Sequence, residues 1–245
     1  MTLPAKAFQR WLQGIAPNAS TADVCRISGI KRTTLAQQLV RGKVAVATVV
    51  SISRAYGINP VTALATFEAY SDLASPQPPP RRCELVSQIS TADLLRAALA
   101  RPALDLSGRA ATKPSPLSPA PHATSVKNWV DAIDDGELRH RVSAATGIAP
   151  QNYSAQLTAN RLSPELAIAT SLAAGVGPAG GLVATGLITE QEAGWPPGAR
   201  QAALDELSDG ELTTLAGDRL QALGKVLRRQ EQDQAQTEKI WENLG

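Results

Sequence analysis

The chain aligns with itself without a gap at an offset of 118 residues. Trp11 meets Trp129, Ile15 meets Ile133 and Val24 meets Val142. "SGI" at 28–30 meets "TGI" at 146–148, and Gln38-Leu39 meets Gln156-Leu157. Gly57, Pro60 and Leu64 meet Gly175, Pro178 and Leu182. Farther on, "ISTADLL" at 89–95 meets "LSDGELT" at 207–213, and Arg101 meets Arg219. Chance overlap of Ala- and Leu-rich helices does not bring Trp, Gly and Pro into register at one constant offset. A duplicated unit therefore constrains the fold first, because each copy must satisfy one pattern of turns and core positions.

The duplication divides the chain. Repeat 1 covers about residues 1–106. Residues 107–123, "SGRAATKPSPLSPAPHA", are rich in Pro, Ser and Ala and read as a semi-extended linker. Repeat 2 covers about 124–245. Inside repeat 1, "SPQPPPRR" at 75–82 reads as a hinge, matched by the turn-rich "AGWPPGAR" at 193–200. A length of 245 residues accommodates two ordinary domains. Aromatic residues make up only 4%, and the apolar content is mostly Ala, Leu and Val, which favours helices over sheets.

Within repeat 1 the turn residues place the helices. Phe8, Trp11 and Leu12 share one helical face over residues 5–13. Ser20 with Asp23 resembles a capping box and opens a helix over about 21–28, closed by Gly29. A third helix runs from about Thr33 to Val40, with Leu35 and Leu39 inward, and ends at Gly42. A fourth covers about 45–56 and buries Val46, Val49 and Val50 before Gly57. Asn59-Pro60 pairs an N-cap with an N1 proline and starts a fifth, to about Tyr70, burying Leu64 and Phe67. A sixth spans about 91–100.

The second helix, a tight Gly turn and a short third helix form a helix-turn-helix pattern. "VCRISGIKRTTLAQQLVRGKVAVATVVSISRAYGINPVTAL" at 24–64 resembles the Xre/Cro-type repressor family of lambdoid phages. The two-repeat arrangement resembles actinobacterial phage immunity repressors with two tandem DNA-binding domains. The resemblance implies an all-α fold of two tandem lambda-repressor-like units, each with an added C-terminal helix, and a function as a repressor of lytic promoters. Gly29 and Gly42 stand 13 apart, one more than the family pattern, so the third helix runs one residue longer.

With Leu35 and Leu39 inward, Thr33 and Gln37 lie on the opposite helix face, with Thr34 and Arg41 beside them and Lys31 and Arg32 at the entrance. Arg suits guanine O6 and N7, Gln suits adenine N6 and N7, and Thr offers a hydroxyl or a methyl. Gln38 is included in the candidate set. Thr21, with the free amides opening the second helix, is a candidate phosphate contact. Lys6, Arg10 and Lys43 are candidate backbone contacts, which position rather than specify. Residues 8–70 carry seven Lys/Arg against two acids, a net +5 that fits a phosphate binder.

Repeat 2 is chemically different. Residues 126–188 hold four basic and five acidic residues, a net −1. Arg32, Gln37 and Arg41 map to Pro150, Ala155 and Ala159, while Thr33-Thr34 map to Gln151-Asn152. Gln156 stands in the place of Gln38, and Arg161 in that of Lys43. Gln151, Asn152, Gln156 and Arg161 are therefore the candidate contacts of a second head that reads through amides. The alternative is a repeat 2 that has lost DNA binding and serves for packing.

Residues 189–245 hold eleven acids and six bases, a net −5. Ser208 and Glu211 form a capping box for a long helix, about 209–232. Leu212, Leu215, Leu220, Leu223 and Leu227 make an apolar stripe, expected to pack on repeat 2 as the shorter stripe at 94–99 packs on repeat 1. A homodimer through this helix is the minor expectation, beside a monomer with two heads.

Catalytic chemistry is not legible. The two histidines, His122 and His140, and the two cysteines, Cys25 and Cys83, form no nucleophilic or metal-ligand pattern. "AAGVGPAGG" at 173–181 lacks the flanks of a phosphate loop. No cofactor and no enzymatic activity are expected. The N-terminus lacks the apolar run of a signal peptide and no window has transmembrane length, so a cytoplasmic, nucleoid-associated protein without membrane partners is expected. The expected partner is double-stranded DNA, as an asymmetric two-part site bound by heads that the linker tethers. The rival from another class is an all-α interaction scaffold, distinguished by weak salt dependence.

Overall fold

The computed structural model describes residues 2–101 and 116–242, and among them the fold is all-α apart from two three-residue strands. Repeat 1 supplies α1 (Ala5–Ile15), α2 (Thr21–Ser28), α3 (Arg32–Val40), α4 (Val46–Ala55), α5 (Pro60–Ala65), a 3-10 segment (Glu68–Ala74), α6 (Arg82–Ser87) and α7 (Thr91–Leu99). Repeat 2 supplies α8 (Ser125–Ile133), α9 (Leu138–Thr146), α10 (Pro150–Thr158), α11 (Pro164–Ala173), α12 (Pro178–Ala184), α13 (Ala199–Asp205) and α14 (Asp209–Glu242). Both ends of α3 and α4 recur 118 residues later as the ends of α10 and α11. No helix among the described residues is long and apolar enough to cross a membrane.

The same backbone devices terminate corresponding helices. Gly29 and Gly147 close α2 and α9 at φ of 70° and 71°, in the left-handed region that a side chain disfavours. After α3 the chain turns at Gly42, whose carbonyl accepts from Ala5 N at 3.0 Å and so ties the turn to the start of α1. At the matching position after α10, Asn160 adopts φ 50° and uses its side chain instead: Oδ1 accepts from Val126 N at 2.9 Å. Strand β1 (Thr2–Pro4) pairs antiparallel with β2 (Lys43–Ala45), and Leu3 opposite Val44 seals the turn beneath α3.

The chain groups into two compact units, each made of two segments. The first joins residues 1–88 with 119–199, the second residues 89–118 with 200–245. The core of the first holds Phe8, Val24, Leu35, Val49, Ile52 and Leu64 from repeat 1, and Trp129, Leu138, Val142, Tyr153 and Leu182 from repeat 2. Burying each large apolar side chain contributes about 1.5–3 kcal/mol.

Repeat 1 and repeat 2 meet inside the first unit. α6 lies against α8, where the buried Glu84 carboxylate accepts from Trp129 Nε1 at 3.2 Å and from Arg81 N at 3.0 Å. Burial pushes the Glu84 carboxyl above its ordinary value, against the lowering effect of these two donors. The helix faces approach closely because α12 is bare there. A Cβ on Gly180 would lie 2.6 Å from Glu84 Oε1, and one on Gly181 2.5 Å from the Ala167 carbonyl.

Several segments differ from the sequence-based expectation. Residues 107–115 of the expected linker lie outside the described residues. Its described end is anchored: His122 Nε2 lies 3.0 Å from the Ser87 carbonyl. The hinge at 75–82 leads into α6, which hydrophobic periodicity does not reveal because it has only six residues. The fifth helix stops at Ala65, and Phe67 and Tyr70 are buried from the 3-10 segment and its approach.

In the second unit α14 packs on α7. Leu94 and Ala98 of the stripe at 94–99 are buried, as are Leu212, at the start of the stripe at 212–227, and Ala216 beside it, where each stripe was expected on its own repeat. Pairing lets α7 and the first turns of α14 bury their apolar positions against each other. Arg101 completes the arrangement, with Nη2 donating to the Leu204 and Leu207 carbonyls at 3.3 and 3.0 Å. Beyond that contact Leu220, Leu223, Val226 and Leu227 on α14 are exposed.

Candidate nucleic-acid interface

α2 begins because Ser20 caps it. The Ser20 hydroxyl accepts from Asp23 N at 3.2 Å and donates to Asp23 Oδ2 at 2.6 Å. These bonds, with Arg26 alongside, hold the Asp23 carboxyl below its ordinary value. Thr21 is exposed at this terminus, yet the Asp23 amide is already taken and a carboxylate occupies the same end. The phosphate contact expected at Thr21 is correspondingly poor in donors.

α2 turns its Val24 and Cys25 inward, and α3 turns in Leu35, which is completely buried. The outward face of α3 carries Arg32, Thr33, Thr34 and Gln37, all exposed, with Lys31 as its N-cap residue and Arg41 and Lys43 past its end. Lys6 and Arg10 are exposed on α1. Among the described residues no hydrogen-bond or ion-pair partner is found for the side chains of Lys6, Arg10, Lys31, Arg32, Arg41 and Lys43.

Gln38 is placed differently from its neighbours. It is half-buried, and its Oε1 accepts from Ala45 N and from Thr48 Oγ1, each at 3.0 Å. That amide oxygen holds α3 against the start of α4, so Gln38 positions the helix. Val40 was missed from sequence. It is 89% exposed at the end of α3, beside Arg41, and an apolar side chain there suits a thymine methyl.

α10 is held by Tyr153, whose hydroxyl lies 3.0 Å from Thr170 Oγ1 in the core, and by Leu157. Its outward face carries Gln151, Asn152, Ala155 and Ala159. Gln156 is half-buried, and α11 is capped by Ser163, which accepts from Leu166 N at 3.1 Å. Ala155, Gln156, Ala159 and Arg161 line an open depression of about 410 Å³.

The two faces differ most in their charge. Arg161 is exposed and unpaired among the described residues, but the other three bases of residues 126–188 are matched with acids. Lys127 pairs with Asp131; Arg139 lies 3.5 Å from both Asp131 and Asp134; Arg141 lies 3.0 Å from Asp135. The Asp135 carboxyl is held below its ordinary value by the hydrogen bond from Arg141. Around α3 the cations face solvent, whereas around α9 they face carboxylates.

No protein-family model, curated protein or solved structure matches the chain.

Proposed function

We propose that the chain is a sequence-specific double-stranded DNA-binding transcriptional repressor with two helix-turn-helix heads, α2–α3 and α9–α10. It is of the phage and prophage immunity kind, occupying operators and excluding polymerase. The observation that carries this proposal is the set of six cations, without side-chain partners among the described residues, around the exposed, amide- and hydroxyl-bearing face of α3. Unpaired Lys and Arg beside a short helix are what phosphate neutralisation and groove entry require. Lys6, Arg10, Lys31 and Lys43 meet phosphates, while Arg32, Thr33, Thr34, Gln37 and Arg41 meet base edges. Val40 meets a methyl group at the end of the helix. The second head contributes Gln151 and Asn152 to base edges and Arg161 to a phosphate, with fewer charges available.

Selection of bound duplexes from a random DNA library tests the proposal. The full chain is expected to enrich a two-part motif, and the Arg32→Ala/Gln37→Ala variant to lose one part. No enrichment at moderate salt overturns the proposal and favours the interaction scaffold. A single short motif, lost altogether in the variant, leaves repeat 2 as a packing partner. The carboxylate-paired bases around α9 favour that second reading for repeat 2 alone.

A further inference from the structure

The contacts between the repeats in the first unit have a pattern beyond their individual strength. From repeat 1, the end of α4 and the start of α5 hold residues 187–192. Arg54 reaches both Glu192 carboxylate oxygens, at 2.6 and 2.7 Å, and the Leu187 carbonyl at 3.2 Å. Asn59 Nδ2 donates to the Glu192 carbonyl at 2.9 Å. By the offset of 118, residues 187–192 correspond to 69–74, the 3-10 segment of repeat 1. That segment and the residues after it hold the counterparts of α4 and α5. Tyr70 donates to Glu165 Oε1 at 2.5 Å, Gln77 Oε1 accepts from Ala179 N at 3.2 Å, and Arg81 donates to the Gly175 carbonyl at 2.6 Å. Positions 165, 175 and 179 correspond to 47, 57 and 61.

Segment A (47–61) of repeat 1 therefore meets segment B of repeat 2, and segment B (69–81) of repeat 1 meets segment A of repeat 2. Such an exchange is the mark of a two-fold, isologous interface; copies related by translation join two different surfaces. The α6–α8 contact breaks the symmetry. The counterpart of its Trp129 site, around Trp11, Thr62, Ala63 and Phe67, is an open groove of about 700 Å³.

We infer that the two repeats form a pseudo-dimer within one chain, so that α3 and α10 are related by an approximate two-fold axis. Resting on the DNA-binding proposal, this fixes the operator's geometry: two half-sites in inverted orientation, at a single spacing, unlike in sequence. Duplex DNA has two-fold axes across its length, and a two-fold pair of heads reads opposite strands one groove turn apart. A flexible tether between heads accepts direct repeats and several spacings; a packed interface does not. The half-sites differ because Arg32, Gln37 and Arg41 face Pro150, Ala155 and Ala159 across the axis.

The test uses the full chain and a variant carrying the repeat 1 face twice: Pro150→Arg, Gln151→Thr, Asn152→Thr, Ala155→Gln and Ala159→Arg. In random-duplex selection the variant is expected to enrich an inverted repeat of the repeat 1 box at one spacing. A direct repeat overturns the inference. Should the variant fail to fold, the unaltered chain decides through a spacing series on its own selected site. One inserted base pair is expected to weaken binding at least tenfold, and tolerance of one to four inserted pairs overturns the inference. Failure of the unaltered chain to enrich any duplex removes the DNA-binding proposal and the inference with it. Enrichment with the wrong orientation or loose spacing removes the inference alone.

Discussion

Gly181 and Gly180 are adjacent, yet the two positions answer to different constraints. A Cβ at Gly181 meets the Ala167 backbone and the Trp129 ring at 2.5–2.9 Å, all within repeat 2. Backbone cannot swing aside, so Gly181→Ala is expected to lower unfolding stability by about 1–3 kcal/mol, measured by denaturant titration. A Cβ at Gly180 meets the Glu84 carboxylate, which can rotate, but only by leaving Trp129. Glu84 also sets a pH dependence. Its folded carboxyl is raised above the ordinary 4.5 by burial, so its favourable contribution is complete below about pH 4.5 and declines as pH rises. Glu84→Gln is expected to remove that decline in thermal unfolding followed from pH 4.5 upward. Glu192 has the opposite sign. Arg54 holds its carboxyl below 4.5, so the pair's contribution is present above that pH and is lost on acidification. Arg54→Ala is expected to flatten the acid side of the profile. None of these pairings was legible in the sequence. Trp129 appeared there only as a repeat match, Gly181 only as the end of a glycine-rich run, and Glu84, past the hinge at 75–82, carried no signal. Pairings of this kind arise from tertiary contact, which leaves no local periodicity.

Helix boundaries, by contrast, were written locally. Ser20, Gly29, Gly42, Gly57 and Asn59-Pro60 punctuate α2 to α5, and the structure places those helix ends within a residue or two, save the early stop of α5. Ser20→Ala is expected to cost about 1 kcal/mol through the lost cap at Asp23 N, read by thermal unfolding. The elements missed are those whose stability is not local. The six residues of α6 are short of an amphipathic repeat, and the 3-10 segment lacks α-helical spacing. α14 runs to Glu242, past the apolar stripe and the expected end near 232, because its Gln, Glu, Arg and Ala residues are good helix formers. For the candidate interface, the outward side of α3 followed from counting steps of 100° from Leu35. The structural use of Gln38 did not, since the donors to its Oε1, Ala45 N and Thr48 Oγ1, lie seven and ten residues away.

At the scale of the whole molecule, helix ends that recur 118 residues apart were legible, but the way those segments associate was not. Turn residues report where a helix ends, never which helix it will face. The unpaired cations give a measurable expectation here. If Lys6, Arg10, Lys31, Lys43 and Arg161 meet phosphates, the logarithm of affinity falls with the logarithm of salt at a slope near about −4.5, and Lys31→Ala or Lys43→Ala reduces it by about 1. A slope near zero excludes phosphate neutralisation. The reciprocal contact between Arg54, Glu192, Tyr70 and Glu165 has one more consequence, for dosage. Two separate subunits must find each other before they occupy a site, so at low abundance occupancy grows with the square of total protein. Heads already joined in one chain skip that step. On the DNA-binding proposal, occupancy at low abundance then follows the first power of protein concentration rather than its square.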